Sequence, residues 1–237
     1  MQILNIAGYK FIALDNLSAL RIALLDACEA RQLKGTILLS PEGINIALAG
    51  KKTDVTDFIN TCLTTDQRFS DMTFKESYSI TLPFKRLKVK LKKEIITFRH
   101  PEIHPEAQRA PAISPQQFKQ WLDEGRQLTI VDTRNQYEVE FGTFEGATQL
   151  NIQDFCEFPN ATEKLSTDKP VVLFCTGGVR CEKAGLHLLN KGFSEVYQLD
   201  GGILNYFATV GAEHYTGACF VFDERVALQP NLQPVTL

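Results

Sequence analysis

Apolar and polar residues alternate over short stretches in the first part of the chain, and a period of two predicts strands. Residues 3–8 read as a first short strand. Leu17, Leu20, Leu24 and Cys28 then recur at helical spacing, which predicts a helix with Asp15 or Asn16 as candidate N-cap. Gly35-Thr36-Ile37-Leu38-Leu39 reads as a strand, Ser40-Pro41-Glu42-Gly43 as a turn, and Ile44-Asn45-Ile46-Ala47-Leu48 as its hairpin partner. A second helix is predicted near 53–62, an extended segment over 72–78, and one more strand over 86–92.

This βαββαβ order implies an α+β sandwich of the ferredoxin or acylphosphatase kind. Punctuation follows. Residues 100–115 carry Pro101, Pro105, Pro111 and Pro115 with little apolar periodicity, the composition of an extended linker. Ser114 and Pro115 supply an N-cap and a proline at the first helical position, opening a helix through Trp121 to Glu124. Strands predicted at 128–132, 147–150, 170–174 and 195–199, separated by helical segments, make an α/β pattern with a parallel sheet. The expected division is a ferredoxin-like (acylphosphatase-like) domain over 1–98, a Pro-rich linker over 99–112, an α/β domain over 113–210, and a tail over 211–237 packing on the domains.

A chain of 237 residues has room for two such cores. No apolar stretch approaches the ~18 residues of a membrane helix, and Met1-Gln2-Ile3-Leu4 lacks the basic start of a secretory signal. Six cysteines without framework spacing argue for a reducing compartment, so the cytoplasm is the expected location, with no membrane partner. There is no Cys-x-x-Cys pair, and His100, His104, His187 and His214 show no ligand spacing, so no metal site is expected. His100 and His104 read as solvated linker residues.

Charge is unevenly placed. Lys85, Arg86, Lys88, Lys90, Lys92 and Lys93 crowd one segment of a chain whose net charge is −3. Leu87, Val89 and Leu91 alternate with them, so one face is buried and the other is a row of cations. Lysines on an edge strand block unwanted pairing. A patch that follows a phosphate backbone, with Arg99 and His100 as candidate neighbours, accounts for the segment equally well.

The candidate chemistry lies in Cys175-Thr176-Gly177-Gly178-Val179-Arg180-Cys181, between the apolar run Val171-Val172-Leu173-Phe174 and a helical pattern over 182–191. Positive φ at Gly177 and Gly178 would turn backbone N–H groups inward, the helix dipole adds partial positive charge, and Arg180 supplies a cation. Together these are expected to lower the Cys175 pKa from about 8.5 until the thiol is largely ionised at neutral pH. Core packing accounts for Cys28 and Cys62 on helix faces, but not for two glycines and an arginine after Cys175. Cys181 reads as a resolving thiol or as packing beneath the loop, with packing slightly favoured. Asp132 and Arg134 read as a supporting ion pair rather than as catalysts. Cys156 and Cys219 are weak candidates that fit strand or loop cores.

Four residues separate Cys175 from Arg180, a tighter gap than in cysteine phosphatases and better suited to one large atom, such as a second sulfur, on the cysteine. Here the chain resembles the rhodanese domains. Val131-Asp132-Thr133-Arg134 with Glu138, Gly142, Gly146 and Ala147 resembles their upstream signature, and Val196-Tyr197-Gln198-Leu199-Asp200-Gly201-Gly202-Ile203 their downstream one. Adding Glu42-Gly43-Ile44-Asn45 and the later Cys219-Phe220-Val221-Phe222-Asp223-Glu224-Arg225-Val226-Ala227, the chain resembles the tRNA uridine hydroxylases of the TrhO type over nearly its whole length.

That resemblance implies oxygen-dependent 5-hydroxylation of the wobble uridine in tRNA, with the anticodon region as partner and Cys175 as the essential residue. It also implies molecular oxygen as co-substrate; no flavin, haem or iron signature is recognisable in the sequence. Thr176–Cys181 would form the active-site loop, and the six cations between Lys85 and Lys93 the tRNA-binding face. One route has the Cys175 thiolate or persulfide adding to uracil C6, which enriches C5 for attack on an oxidant. Many relatives continue into a cysteine-rich extension that this chain, ending at Leu237, lacks, so no role of that extension is carried over. The alternative is a rhodanese-type sulfurtransferase carrying a persulfide on Cys175. A non-catalytic binding module is a third reading, against which the cysteine itself argues.

Overall fold

The computed structural model describes residues 2–235. They form two compact units, one running to Ile95 and including Asp223–Arg225, the other comprising Ile96–Phe222 and the chain from Val226.

The first unit contains β1 (Ile3–Phe11), α1 (Leu17–Ala30), β2 (Lys34–Ser40), β3 (Gly43–Lys51), α2 (Lys52–Phe58), β4 (Lys75–Ser79) and β5 (Leu87–Leu91). Its sheet runs β4-β1-β3-β2-β5. The first four strands are antiparallel and β5 joins β2 in parallel. The alternation that predicts the hairpin is the alternation that buries it: Ile37 and Leu39 of β2 and Ile44, Ile46 and Leu48 of β3 are fully enclosed. α1 turns Leu24 and Cys28 onto the sheet, and Val55 and Phe58 of α2 close the same core. Two details differ from expectation. Asn16 stands at the N-cap in the left-handed region without a capping side-chain bond. The second helix continues as a wider π turn over Ile59–Leu63.

The second unit contains β6 (Ala112–Ile113), α3 (Pro115–Asp123), β7 (Thr129–Asp132), α4 (Gln136–Val139), β8 (Gly142–Phe144) and β9 (Thr148–Gln149). It continues through α5 (Phe158–Ala161), β10 (Val171–Phe174), α6 (Val179–Asn190), β11 (Val196–Leu199) and α7 (Gly202–Thr209). Three short strands complete it: β12 (Tyr215–Gly217), β13 (Cys219–Phe220) and β14 (Ala227–Leu228). The main sheet is wholly parallel in the order β6-β11-β10-β7-β9. β10 lies at its centre with every residue buried, as expected for a strand covered on both faces. Ser114 caps α3 by accepting from the Gln117 N–H at 3.1 Å, with Pro115 at the first helical position.

Residues 99–112 are not an extended linker. Ile103 and Ala110 are buried, Ala112 and Ile113 pair with β11, and Arg109 is bound to Glu182 on α6. Proline suppresses helical periodicity there without preventing burial, because isolated apolar residues suffice to anchor an irregular segment. His100 is likewise packed: its ring lies 5.2 Å from Phe98 and 5.6 Å from His187. The segment after residue 210 is divided between the units, only Asp223–Arg225 belonging to the first. Among the described residues no helix is long and apolar enough to cross a membrane.

Candidate active site

Cys175 stands where central strand β10 ends. Thr133 fixes that end twice, its backbone N–H and its hydroxyl both donating to the Phe174 carbonyl, at 3.0 and 2.9 Å. The chain then turns through Gly178, whose φ of 100° few other residues adopt, and enters α6. Gly177 does not share this role. It has no positive φ, so a single inversion forms the turn where two were expected. From the far side, the first amides of α7 hold the loop: Ile203 N–H donates to Cys175 O at 3.0 Å and Leu204 N–H to Thr176 O at 3.1 Å. A Cβ on Gly202 would lie 2.4 Å from Cys175 O, so only glycine permits this approach.

The sulfur is enclosed, with Cys175 only 1% exposed. Burial alone would push its pKa up. Against that stand a hydrogen bond from the Cys181 thiol, the Arg180 charge, and the backbone N–H groups of Arg180 and Gly178, and the balance holds Cys175 below the ordinary thiol range. The Gly178 N–H is 3.1 Å from the sulfur. Cys181 moves the other way: burial and the neighbouring Cys175 push its pKa well up. The two shifts run in opposite directions, so Cys175 is the thiol of the pair that ionises more readily. Both cysteines are buried in one apolar cluster, and the Cys181 sulfur lies 3.9 Å from the Thr133 hydroxyl.

Arg180 is not free to swing. Its Nη1 and Nη2 donate to the two oxygens of Glu138, at 2.6 and 2.7 Å, in a bidentate pair buried on both sides. Its Nε has no partner among the described residues. Glu138 also accepts from the Asn135 N–H at 3.2 Å, which caps α4, so the pair with Arg180 ties this helix to the loop. This carboxylate is the functional residue the sequence did not single out. It stood only within a family signature, and its pairing with Arg180 requires two segments that meet in the fold alone.

Asp132 and Arg134 form a second, fully buried ion pair, with Nε–Oδ1 at 2.9 Å and Nη2–Oδ2 at 2.6 Å. Arg134 also donates to Gly142 O at 2.6 Å, and Thr143 donates to Asp132 at 2.8 Å. These bonds join β7 to β8 and support the floor of the site. Thr176 donates to Phe220 O at 3.4 Å. Burial pushes the nearby Cys219 thiol up to about 12, so it stays protonated. Val179 opens α6. Cys156 lies on another segment, its pKa also raised by burial. No group of three or more metal-ligating side chains occurs among the described residues.

The cations lie in the first unit. Lys88 and Lys90 project from β5 to solvent, Val89 between them is buried, and Lys85, Arg86, Lys92 and Lys93 are exposed on either side. β5 is an edge strand. Lys85 is paired with Glu224 at 3.2 Å.

Comparison with known proteins agrees with this architecture. Residues 3–95 match the UPF0176 acylphosphatase like domain and residues 114–209 the Rhodanese-like domain. A tRNA uridine(34) hydroxylase of Cupriavidus taiwanensis is 53% identical over 242 aligned positions, covering 99% of this chain and 86% of that protein. The Ralstonia nicotianae protein of the same name is also 53% identical with the same coverage. That of Bordetella petrii is 50% identical, covering 98% of this chain and 95% of its own. With both domains shared at this level and in this order, the chain belongs to the tRNA uridine(34) hydroxylase family.

Proposed function

We propose that this protein hydroxylates C5 of uridine 34 in tRNA, with the Cys175 thiolate as the reacting group and molecular oxygen as the oxidant. The observation that carries the reading is the near-full-length identity to proteins of that name, since it includes the N-terminal domain as well as the rhodanese loop. The site supports the chemistry. A thiol whose proton has been lost is a nucleophile at neutral pH. Added to C6 of uracil, it shifts electron density to C5, which attacks O2 to give a C5 hydroperoxide. A thiol reductant supplies the two electrons that take the outer oxygen to water and is itself oxidised to a disulfide. Loss of the C5 proton with departure of the sulfur from C6 restores the ring. The amides of Gly178 and Arg180 stabilise the sulfur when it is negative, both before addition and after departure.

The burial of Cys175 favours one refinement. A second sulfur on Cys175 extends the reactive atom by about 2 Å beyond the enclosed one, and the tight loop suits a single large atom. A persulfide, formed when the Cys175 thiolate takes the outer sulfur of a sulfane donor such as thiosulfate and releases sulfite, is therefore the form that reaches a base most readily. It keeps the second reading, sulfur transfer to a small acceptor, in view.

Nucleoside mass spectrometry of tRNA from a strain lacking the gene, beside a thiosulfate–cyanide assay of the purified protein, separates the two. Loss of 5-hydroxyuridine in that strain and its return with the intact gene are expected. Undiminished 5-hydroxyuridine together with efficient thiocyanate formation would establish the sulfurtransferase instead.

A further inference from the structure

Among the described residues, the exposed large hydrophobic side chains include two aromatic ones, Tyr137 and Phe222, at 40% and 64% exposure. Both lie in the second unit and both belong to one aromatic group. Phe220 is at its centre, with ring centroids 5.5 Å from Tyr137, 5.4 Å from Phe141 and 5.1 Å from Phe222. Phe222 meets Phe220 nearly perpendicularly, at 88°. An edge-to-face contact uses the edge of one ring and the face of the other, so this group is fixed in orientation yet keeps ring surface open to solvent.

The position of the group decides what it is for. Tyr137 precedes Glu138, the carboxylate that holds Arg180, on the same short helix. Phe220 accepts a hydrogen bond from Thr176, the residue after Cys175. Val221 closes the hairpin from which Phe222 projects, its N–H donating to Val226 O at 2.8 Å. The aromatic group is thus built on two elements that are each bonded to the Cys175 loop, one through Glu138 and one through the Phe220 carbonyl.

We infer that Tyr137 and Phe222 form a stacking platform for the bases that flank the target uridine in the anticodon loop. This rests on the function proposed above. A base that must reach an enclosed sulfur has to leave its neighbours, and enzymes that act on an extruded base offset the lost stacking with aromatic side chains. Every base has a π-face, so such a platform accepts single-stranded RNA without reading its sequence. Duplex RNA, with its bases already stacked, gains nothing from it.

The test uses an anticodon stem–loop RNA with 2-aminopurine immediately 3′ of the target uridine. Binding to the wild-type protein is expected to quench the probe. Phe222→Ala is expected to weaken binding by about 5- to 100-fold and to abolish the quench, and Phe222→Trp to restore both. An unchanged thermal midpoint for each variant shows that the fold is intact, as the exposure of Phe222 leads one to expect. Phe222→Ala binding within about twofold of wild type, with the quench retained, would overturn the platform while leaving the proposed function standing. Failure of the wild-type protein to modify tRNA overturns the functional reading itself, and the platform with it.

Discussion

At the scale of single residues the central feature is a division of labour between two thiols. Cys181 is pushed toward its protonated form by burial and by Cys175, while Cys175 is drawn below the ordinary thiol range. Hydrogen bonds to charged groups contribute about 1.5–3 kcal/mol, so Cys181→Ala should raise the pH at which Cys175 ionises and move the acid limb of the activity profile upward. A profile unchanged in Cys181→Ala would show that the amides and Arg180 suffice alone. The depressed pKa also makes stability depend on pH. A group that ionises more readily when folded stabilises the native state fully above its unfolded pKa, near ~8.5, and loses that contribution as pH falls through the folded value. The stability difference between wild type and Cys175→Ser should therefore grow from acid pH toward ~8.5; denaturant unfolding across that window measures it. Glu138 is the other sensitive position. Truncating it to alanine leaves Arg180 buried without its partner, a change expected to cost about 3–5 kcal/mol, read as a fall in thermal midpoint.

At the scale of elements, the loop is held by close backbone approach rather than by its own composition. Gly202→Ala would force a Cβ to within 2.4 Å of Cys175 O, at a φ of 66° that alanine tolerates poorly. Displacement of α7 from the loop, with lost modification activity and a lowered midpoint, is expected. Gly177→Ala, where a Cβ meets nothing within 4 Å, should leave the midpoint unchanged. The strands were the most legible elements, because alternation at Ile44, Ile46 and Leu48 and the apolar run at 171–174 express burial directly. The single inversion at Gly178 was not legible: two adjacent glycines look alike until the path of the chain decides which must turn. Nor was the proximity of Cys175 and Cys181, since spacing in sequence does not report how tightly a loop curls. Ile103 and Ala110 show a third limit. Their burial depends on the surface they meet, and neither periodicity nor proline content encodes it.

At the scale of the whole molecule, a chain of net charge −3 carries a solvent-facing row of cations on and around β5. If these cations bind phosphates, changing Lys88, Lys90 and Lys92 to glutamine should weaken tRNA binding and reduce its dependence on salt. The slope of log affinity against log salt should fall by about 0.7 for each lysine–phosphate pair removed on single-stranded RNA. An unchanged slope would assign the row to protection of an edge strand instead. The order of the two domains was legible in the sequence, because each has its own pattern of strands and helices. The pairing of Arg180 with Glu138 was not, and it governs how much of the guanidinium charge reaches the sulfur.

The most direct test of the account is a pH titration of thiolate ultraviolet absorbance in the wild-type protein, with the Cys175→Ser spectrum subtracted. A thiolate signal already present at neutral pH, and lost only on the acid side, is the predicted result. A signal that develops only near ~8.5, as for an unassisted thiol, would contradict it.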